Sequence, residues 1–342
     1  MPLSLTVDGD RWRAHLRHVA ATHPGLVPVL KGNGYGIGVP RLARRAAWLG
    51  ADLVAVGSYE EVPQVLSRYD GDVLVLSPWR PFLPDTSYDR ADGRRVVHTV
   101  GRPEDLAALA GAQRQPRPRV VLEALTSMRR HGFRRNALRK AAAAPVDVEG
   151  IALHLPMRGD RVAEVESWLD GDLARTVFVS HLTDTELGKL GARHPEIRLR
   201  PRIGTMLWLG DRSFFTVRAT VLDVHPVSRG DRAGYRQRPV PRDGHLLVLA
   251  GGTSHGIALE APASGTSVRN RAIALARGGL DAVGAALSPY VVAGRQRWFL
   301  EPPHMQVSMV FLPASAPPPA VGDEVPVQVR YTTTTFDRVT IT

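Results

Sequence analysis

The sequence predicts an α/β protein in which an N-terminal (β/α)8 barrel is followed by a mainly β C-terminal domain. Short apolar runs alternate with helix-like segments through the first 210 residues, and this alternation is typical of a parallel sheet. Most runs are continuously apolar, as in strands that are buried on both faces. Beyond about residue 215, strand-like runs are separated by proline, glycine and charged residues, which indicates an all-β region.

Eight strand-like runs make up the predicted barrel. Eight runs over about 200 residues favour a closed barrel, and a doubly wound open sheet is the alternative that this count leaves open. The runs lie at residues 26–31, 53–58, 72–78, 94–100, 119–125, 148–156, 175–182 and 197–204.

Four amphipathic helices are predicted between these strands. The segment 39–50 places leucines and alanines on one stripe and ends on a glycine, as surface helices do. The segment 102–112 opens with proline and acidic residues, which favour a helix N-terminus. Segments 161–171 and 183–195 follow the same plan.

The domain boundaries follow from the change of pattern. We expect the barrel to span residues 10–214 and the β domain to span residues 215–342, with residues 1–9 joining the β domain. The proline-rich stretch 313–327 is expected to be a loop that ends in a turn.

Composition limits the possible partners of the chain. It has 342 residues, a net charge of +11 and no cysteine, which excludes disulfides, cysteine-ligated zinc and thiol catalysis; we expect no metal site. No segment approaches the roughly 18 apolar residues of a membrane span, and the first ten residues lack a secretory pattern.

The densest basic cluster, residues 128–140, has one aromatic residue, so a solvated surface is favoured over a nucleic-acid site. We therefore expect a cytoplasmic protein that acts on a small molecule.

Polar residues stand at the carboxyl ends of the predicted strands, where barrel enzymes hold their active sites. A histidine or serine in such a place is ordinarily structural, but a ring of polar groups around one barrel mouth favours a functional site. These residues are Lys31, Ser58, Ser77, Glu123, His154, Ser180 or His181, and Arg202.

Lys31 ends the first strand and is followed by four glycines, with Tyr35 among them. A lysine at the end of a buried strand loses solvation, which lowers its pKa and frees its amine. Such an amine can form a Schiff base with an aldehyde cofactor, and a glycine-rich loop lets backbone N–H groups approach a phosphate. A dinucleotide fingerprint fits poorly, because Ile37 stands where its third glycine belongs.

The segment around Lys31 resembles the pyridoxal 5'-phosphate (PLP) signature of the alanine racemase family, in which a lysine precedes an Ala/Gly-Tyr-Gly-x-Gly stretch. Segments 127–133, 150–156 and 200–210 are similar to three further motifs of that family, in the same order. The resemblance implies a barrel with a β domain, PLP as cofactor and an amino-acid racemase or epimerase. Lys31 would be one of the two bases that act on the α-proton of the substrate.

The resemblance also implies a role for individual residues. Arg130 is expected near the substrate carboxylate, His154 beside the pyridine ring and Arg202 at the pyridine nitrogen. Because an arginine does not give up its proton, the cofactor would be a restrained electron sink, which favours racemisation. The phosphate would be bound by the Tyr35 hydroxyl and by backbone N–H groups at the start of the last barrel helix. The expected cofactor-binding residues are thus Lys31, Tyr35, Glu123, Arg130, His154, Ser180, Arg202, Gly204 and Thr205.

The β domain departs from the family pattern at the second base. That base is a tyrosine in a Gly-Tyr-x-Asp-Gly motif, and the counterpart here places Thr253 at the tyrosine and His255 at the aspartate. A threonine hydroxyl is too short and too weakly acidic to replace a phenol. In the first hypothesis His255 is the second base, since a pKa near neutrality suits that work. In the second, Lys31 alone moves protons and the reaction is of another type; in the third, the protein binds PLP without turnover.

Three further alternatives remain. Tyr235 or Tyr290 could supply the missing phenol if the β domain aligns differently. Two other segments also depart from the family: residues 302–309 resemble its Met-Asp segment but carry Gln306 where aspartate is expected, and Phe336 stands near the place of a phosphate-binding tyrosine. A barrel that binds an anion through Lys31 without PLP is the rival class of protein.

Two more expectations come from the resemblance. Glu123 lies seven residues before Arg130, where the family often carries an anionic carbamylated lysine. We expect its carboxylate to orient Arg130 by a charge-assisted hydrogen bond, the alternative being an ordinary strand-end carboxylate. Because the β domain of the family completes the partner's active site, we also expect a head-to-tail homodimer.

Overall fold

The chain divides into two compact units in the computed structural model. One unit is Arg13–Asp211, and the other combines Met1–Trp12 with Arg212–Thr342. The structure describes residues 2–83, 94–111, 117–169, 175–259 and 286–342. The last residues of two predicted helices, 112 and 170–171, lie outside the described residues.

The first unit is a closed barrel of eight strands, so the barrel prediction is confirmed and the open sheet is wrong. All neighbouring strands run parallel, and the ring closes where Val27 pairs with Arg202 and Pro28 with Ile203. The strands are β2 (Val27–Leu30), β3 (Leu53–Val56), β4 (Asp72–Val75), β5 (Val96–Val100), β6 (Arg119–Glu123), β7 (Asp147–Leu153), β8 (Thr176–Val179) and β9 (Arg198–Ile203).

Helices connect these strands on the outside of the ring. The four predicted helices all form, each within three residues of the expected ends, as α2, α4, α6 and α7. The helices are α1 (Gly9–Thr22), α2 (Val39–Trp48), α3 (Val62–Leu66), α4 (Pro103–Gly111), α5 (Arg135–Ala141), α6 (Arg161–Trp168), α7 (Asp184–Arg193) and α8 (Thr205–Leu209).

Two apolar layers explain why the barrel strands are continuously hydrophobic. Val29, Leu74 and Phe178 belong to a buried cluster formed by residues of β2 to β8. Val120 and Ile151 belong to a second cluster, which includes residues of helices α4 to α7. Because each strand is buried on both faces, its side chains are apolar on both sides and only its carboxyl end is left for polar groups.

The second unit is built on an eight-stranded sheet and a two-stranded ribbon. The N-terminal strand β1 pairs antiparallel with β10 and parallel with β18. The strands are β1 (Leu3–Val7), β10 (Phe215–Val227), β11 (Arg232–Ala233), β12 (Arg238–Pro239), β13 (Gly244–Ala250), β14 (Leu287–Val292), β15 (Arg295–Phe299), β16 (Val307–Pro313), β17 (Glu324–Pro326) and β18 (Arg338–Ile341).

The β unit differs from the sequence prediction near the C-terminus. Within the stretch 313–327, which is expected to be a loop, Glu324–Pro326 forms a short strand that pairs with β10. Proline ends a ladder because it has no N–H to donate. Strand β18 was not predicted, since its short alternating run gains its partner only when β1 lies beside it. Within the described residues, no helix has the length and apolar character needed to cross a membrane.

Candidate active site

The carboxyl ends of the barrel strands surround one cavity of about 300 Å³. Lys31 immediately follows β2, Glu123 ends β6, His154 follows β7 and Arg202 lies near the end of β9. Parallel strands bring these separate positions to the same edge of the sheet. All nine cofactor-binding residues expected from the sequence line this cavity: Lys31, Tyr35, Glu123, Arg130, His154, Ser180, Arg202, Gly204 and Thr205.

The glycines after Lys31 are needed for the shape of the loop. Gly34 has a φ of +61°, and a Cβ there would lie 2.4 Å from the backbone nitrogen of Val39, the first residue of α2. Tyr35 itself has a φ of 56°, which is uncommon for a residue other than glycine. The tight turn thus returns the chain into α2 and buries the tyrosine at 4% exposure.

The Tyr35 hydroxyl and Gly204 form one side of the cavity. A Cβ on Gly204 would lie 2.0 Å from that hydroxyl oxygen, so only glycine permits their approach. In the described part of the chain the hydroxyl has no hydrogen-bond partner. Burial and the charge of Glu61 raise the pKa of Tyr35, which keeps the hydroxyl protonated. This side of the cavity therefore offers an O–H donor beside the first residues of α8.

Lys31 lines the cavity and is only partly shielded from solvent, and its environment lowers the pKa of its amine. Partial burial is the largest cause, and the cations Arg130 and Arg202 act in the same direction. The charge of Glu61 opposes them. A lowered pKa supplies the uncharged amine that nucleophilic or base chemistry needs.

Glu61 was not singled out in the sequence, although it fixes the Lys31 loop. Its carboxylate accepts hydrogen bonds from the backbone N–H of Gly32 and of Gly57, each at 2.6 Å. It also closes a capping box with Ser58 after β3. The Ser-x-x-Glu spacing indicates a helix start, but it does not show that the carboxylate reaches the loop after the neighbouring strand β2.

The cavity holds one acidic residue facing several cations. Glu123 is 3% exposed, and burial raises its pKa, while Arg202 and then Arg130 act to lower it. The expected hydrogen bond between Glu123 and Arg130 is not formed: among the described residues, no hydrogen bond or ion pair joins them. Arg202 is the cation with the larger effect on Glu123, and Arg130 remains exposed.

Arg202 is buried at the strand end with unused donor capacity. One terminal nitrogen donates to the carbonyl of Leu153 at 3.1 Å, whereas Nε is buried and has no hydrogen-bond partner among the residues that the structure describes. A buried N–H without an acceptor is costly. A ligand atom that accepts a hydrogen bond from Nε would remove this cost.

His154 is held as a neutral ring. Its Nδ1 lies 2.9 Å from the Ser180 hydroxyl, and its ring centroid lies 5.2 Å from that of His181. Burial, followed by the charges of Arg202 and Arg130, lowers the pKa of His154 to about 3. An uncharged ring can pack against a flat ligand without adding another cation to the cavity.

His255 and Thr253 lie in the β unit, in a short 3-10 turn after β13. His255 is nearly buried, and both ring nitrogens are engaged. Nδ1 accepts the N–H of Gly252 at 3.2 Å, and Nε2 lies 3.0 Å from the Asp337 carboxylate. A general base needs a free lone pair, so these contacts favour the turn role of His255 over the predicted base.

The two tyrosines that could replace the missing phenol differ in their exposure to solvent. Tyr290 is fully buried, and its hydroxyl donates to the carbonyls of Ala250 and Gly251 at 3.0 and 2.8 Å, so it is a core residue. Tyr235 is 86% exposed on a loop and stacks at 4.4 Å on His304.

Comparisons with known proteins agree with this architecture. Residues 7–170 match the family described as the alanine racemase N-terminal domain. No curated protein matches the sequence.

Solved structures share the fold over nearly the whole chain. The alanine racemase from E. faecalis is 17% identical, with a TM-score of 0.72 over 99% of this chain and 97% of that chain. An alanine racemase from Bartonella henselae with covalently bound pyridoxal phosphate is 16% identical, with a TM-score of 0.71 over 96% and 91%. A histidine racemase from Leuconostoc mesenteroides is 18% identical, with a TM-score of 0.70 over 100% and 97%. At these identities the likeness concerns the fold.

Proposed function

Because the chain belongs to the alanine racemase family through its barrel, we propose that it is a PLP-dependent amino-acid racemase or epimerase. The observation that carries this proposal is the buried, unpartnered Nε of Arg202 in the same cavity as Lys31 and Tyr35. A ligand with an aldehyde, an aromatic nitrogen and an anionic tail satisfies the Lys31 amine, the Arg202 Nε and the Tyr35 hydroxyl beside Gly204. PLP has these three groups, and the residues present fit it.

Each residue has a distinct task in this proposal. PLP, when bound, supplies an electron-withdrawing ring that acidifies the α-carbon of an amino acid. The lowered pKa of Lys31 lets its amine take the α-proton on one face and return it. Arg202 donates one hydrogen bond and keeps its own proton, which restrains the withdrawal of electrons. The exposed guanidinium of Arg130 is available to bind the substrate carboxylate.

The substrate class follows from the charge of the mouth. Lys31, Arg130 and Arg202 line the cavity with Glu123 as their acidic counterpart, so an anionic group is favoured there. The structurally similar proteins include alanine racemases and a histidine racemase. We propose a free amino acid as substrate and a cytoplasmic homodimer as the working assembly. Sedimentation as a 37 kDa monomer with full turnover would contradict the dimer.

The cofactor proposal is tested by chemical trapping. The chain has three lysines, Lys31, Lys140 and Lys189, and the last two are exposed on the helical surface of the barrel. We expect the purified protein to absorb near 420 nm with PLP, to bleach with borohydride and to carry a pyridoxyl group on the Lys31 peptide alone. Lys140→Arg and Lys189→Arg serve as matched controls and should label normally. Label on another lysine, or on none, would refute the assignment.

A second candidate is a PLP enzyme that uses Lys31 as its sole base. The observation in its favour is that Thr253 stands in the position of the expected phenol while His255 is fully hydrogen-bonded. Exchange of the α-proton with deuterated water separates the candidates. A racemase exchanges both enantiomers of its substrate, whereas a one-base enzyme exchanges one.

A further inference from the structure

The β unit has a cavity of its own, of about 860 Å³. One lining loop contains Tyr235, a second contains Glu301, His304 and Met305, and Thr253 lines the cavity from the turn after β13. Tyr235 and Met305 are 86% and 72% exposed. Exposed large side chains beside buried charge are a common property of binding sites.

A buried carboxylate organises this cavity. Glu301 is 2% exposed, and it accepts the backbone N–H groups of Tyr235 and Arg236 at 3.1 and 3.2 Å. A Cβ on Gly234, which has a φ of +76°, would lie 2.1 Å from the carboxyl carbon. The glycine therefore lets the loop close around the carboxylate.

Glu301 orients the ring of His304. Its carboxylate lies 2.5 Å from His304 Nε2. Burial raises the pKa of Glu301, but hydrogen bonds from His304 and from the two backbone N–H groups lower it by more, so the carboxylate stays ionised and accepts. Nε2 then carries the proton, and Nδ1 is left as the lone-pair nitrogen. In the part of the chain that the structure describes, Nδ1 has no protein partner.

This pair lies beside the position of the missing phenol. The N–H of Thr253 donates to the carbonyl of His304 at 2.8 Å, and the N–H of Ser254 donates to that of Met305 at 2.9 Å. The loop that carries His304 is thus hydrogen-bonded along the turn in which the tyrosine is replaced. Thr253 lines the same cavity as His304.

Among the described residues, neither His255 nor any other histidine that lines one of the two cavities has this combination of contacts. His255 has both nitrogens engaged. Burial and Arg130 lower the pKa of His131, and no carboxylate in the described part of the chain is bonded to its ring. His154 is bonded to Ser180 and has a pKa of about 3. Burial and Arg202 lower the pKa of His181, and no carboxylate orients its ring among the described residues. An imidazole oriented by a carboxylate is the arrangement that stabilises the protonated ring during base catalysis.

We propose that His304 is the second acid–base residue of the reaction and that Glu301 is its positioning residue. This inference rests on the proposed racemase function and on a second copy bringing its β unit to the barrel mouth. In one direction, the Cα–H bond breaks on one face and its proton passes to the uncharged Lys31 amine, while His304, protonated on both ring nitrogens, delivers a proton from Nδ1 to the other face. In the reverse direction, the lone pair on Nδ1 of His304 takes the α-proton and the protonated Lys31 amine delivers one. Exchange with water then returns both groups to their starting protonation states.

The test measures α-proton exchange of each enantiomer in deuterated water, over a panel of amino acids, with PLP binding followed separately. We expect the unmutated enzyme to exchange both enantiomers. His304→Gln should reduce exchange of one enantiomer by about 100-fold or more, leaving the other, Lys31-dependent exchange within about threefold. Glu301→Gln should act on the same enantiomer by a smaller factor, and His225→Ala, on the β unit surface, should change neither.

A spectroscopic measurement accompanies the kinetics. The ¹⁵N resonances of the His304 ring should show a proton on Nε2 in the unmutated protein, and Glu301→Gln should disturb that preference. If His304→Gln is poorly folded, His304→Asn with an unchanged melting temperature replaces it.

Each result decides between the hypotheses. If His304→Gln leaves both exchanges intact, or if His255→Gln or His181→Gln instead removes one, the inference is overturned while the racemase function stands. If the PLP-loaded enzyme exchanges neither enantiomer of any amino acid, the proposed function fails and the inference fails with it. Exchange of one enantiomer alone, insensitive to His304→Gln, supports the one-base enzyme.

Discussion

The contact between Gly204 and Tyr35 gives a sharp test of the cofactor side of the barrel. In Gly204→Ala the new methyl carbon would lie 2.0 Å from the Tyr35 hydroxyl oxygen and 3.0 Å from the ring carbon that bears it. An ordinary contact begins at 3.4 Å, so the hydroxyl must move by about 1.4 Å. Tyr35 is buried in a left-handed turn and has little room to move.

Gly204→Ala is expected to lower both the stability of the barrel and its affinity for PLP. Overpacking a buried site costs about 1–3 kcal/mol of folding free energy, which for a barrel of this size lowers the melting temperature by about 2–12 °C. Displacing the hydroxyl removes one charge-assisted hydrogen bond to an anion, worth about 1.5–3 kcal/mol. We therefore expect the dissociation constant of PLP to rise by about 10- to 100-fold.

A double-mutant cycle isolates the contact. Tyr35→Phe should weaken PLP binding by a similar factor, and Gly204→Ala combined with Tyr35→Phe should weaken it by much less than the product of the two factors. Gly188→Ala, on exposed α7 with nothing within 4 Å of its Cβ, is the control and should raise stability by up to about 1 kcal/mol. Additive effects, or a Gly204→Ala protein that binds PLP normally, would refute the reasoning.

Three further predictions concern the same cavity. Arg202→Lys keeps the charge but removes the Nε donor, so the dissociation constant of PLP should rise by about 10-fold or more, as measured by titration of the apoenzyme; unchanged affinity would argue against a ligand acceptor at this nitrogen. Glu61→Gln places an amide N–H₂ against the backbone N–H of Gly32 or Gly57, so stability should fall by about 1–3 kcal/mol. Since Glu61 is the charge that raises the pKa of Lys31, that pKa should fall further, as followed by NMR titration. For His154, between about pH 6.5 and 3 the unfolded chain binds a proton that the folded barrel does not, so stability is full above pH 6.5 and falls as the pH is lowered. His154→Gln should flatten this fall in thermal melts, and an unchanged slope would contradict the low pKa.

Much of the barrel could be predicted because its signals are local. A continuously apolar run identifies a strand buried on both faces, and a lysine that ends such a run must lie at the sheet edge. The sequence alone therefore predicts that Lys31, His154 and Arg202 share one site. The contact between Glu61 and Gly32 could not be found this way, since it joins residues 29 positions apart through a turn whose path depends on β2 and β3 pairing.

In the β unit, contacts between residues far apart in the sequence are even harder to predict from sequence patterns. His255 is predicted as a base because it aligns with a motif position. A motif gives the spacing of residues in the sequence and not their hydrogen bonds. Its contact with Asp337 spans 82 positions, and the contact of Glu301 with the Tyr235 backbone spans 66. Such long-range contacts decide which histidine keeps a free lone pair.

The charges of the barrel mouth connect the fold to the proposed chemistry. Burial and the neighbouring arginines lower the pKa of Lys31 and of Arg202, while burial raises that of Glu123. Burial shifts each of these groups towards its neutral form, and the neighbouring cations act in the same direction on Lys31 and Arg202 but oppose it on Glu123. An anionic ligand offsets this buried positive charge and favours the ionised form of Arg202. Holding these cations together in the folded barrel therefore costs free energy, and the binding of a phosphate and a carboxylate offsets that cost.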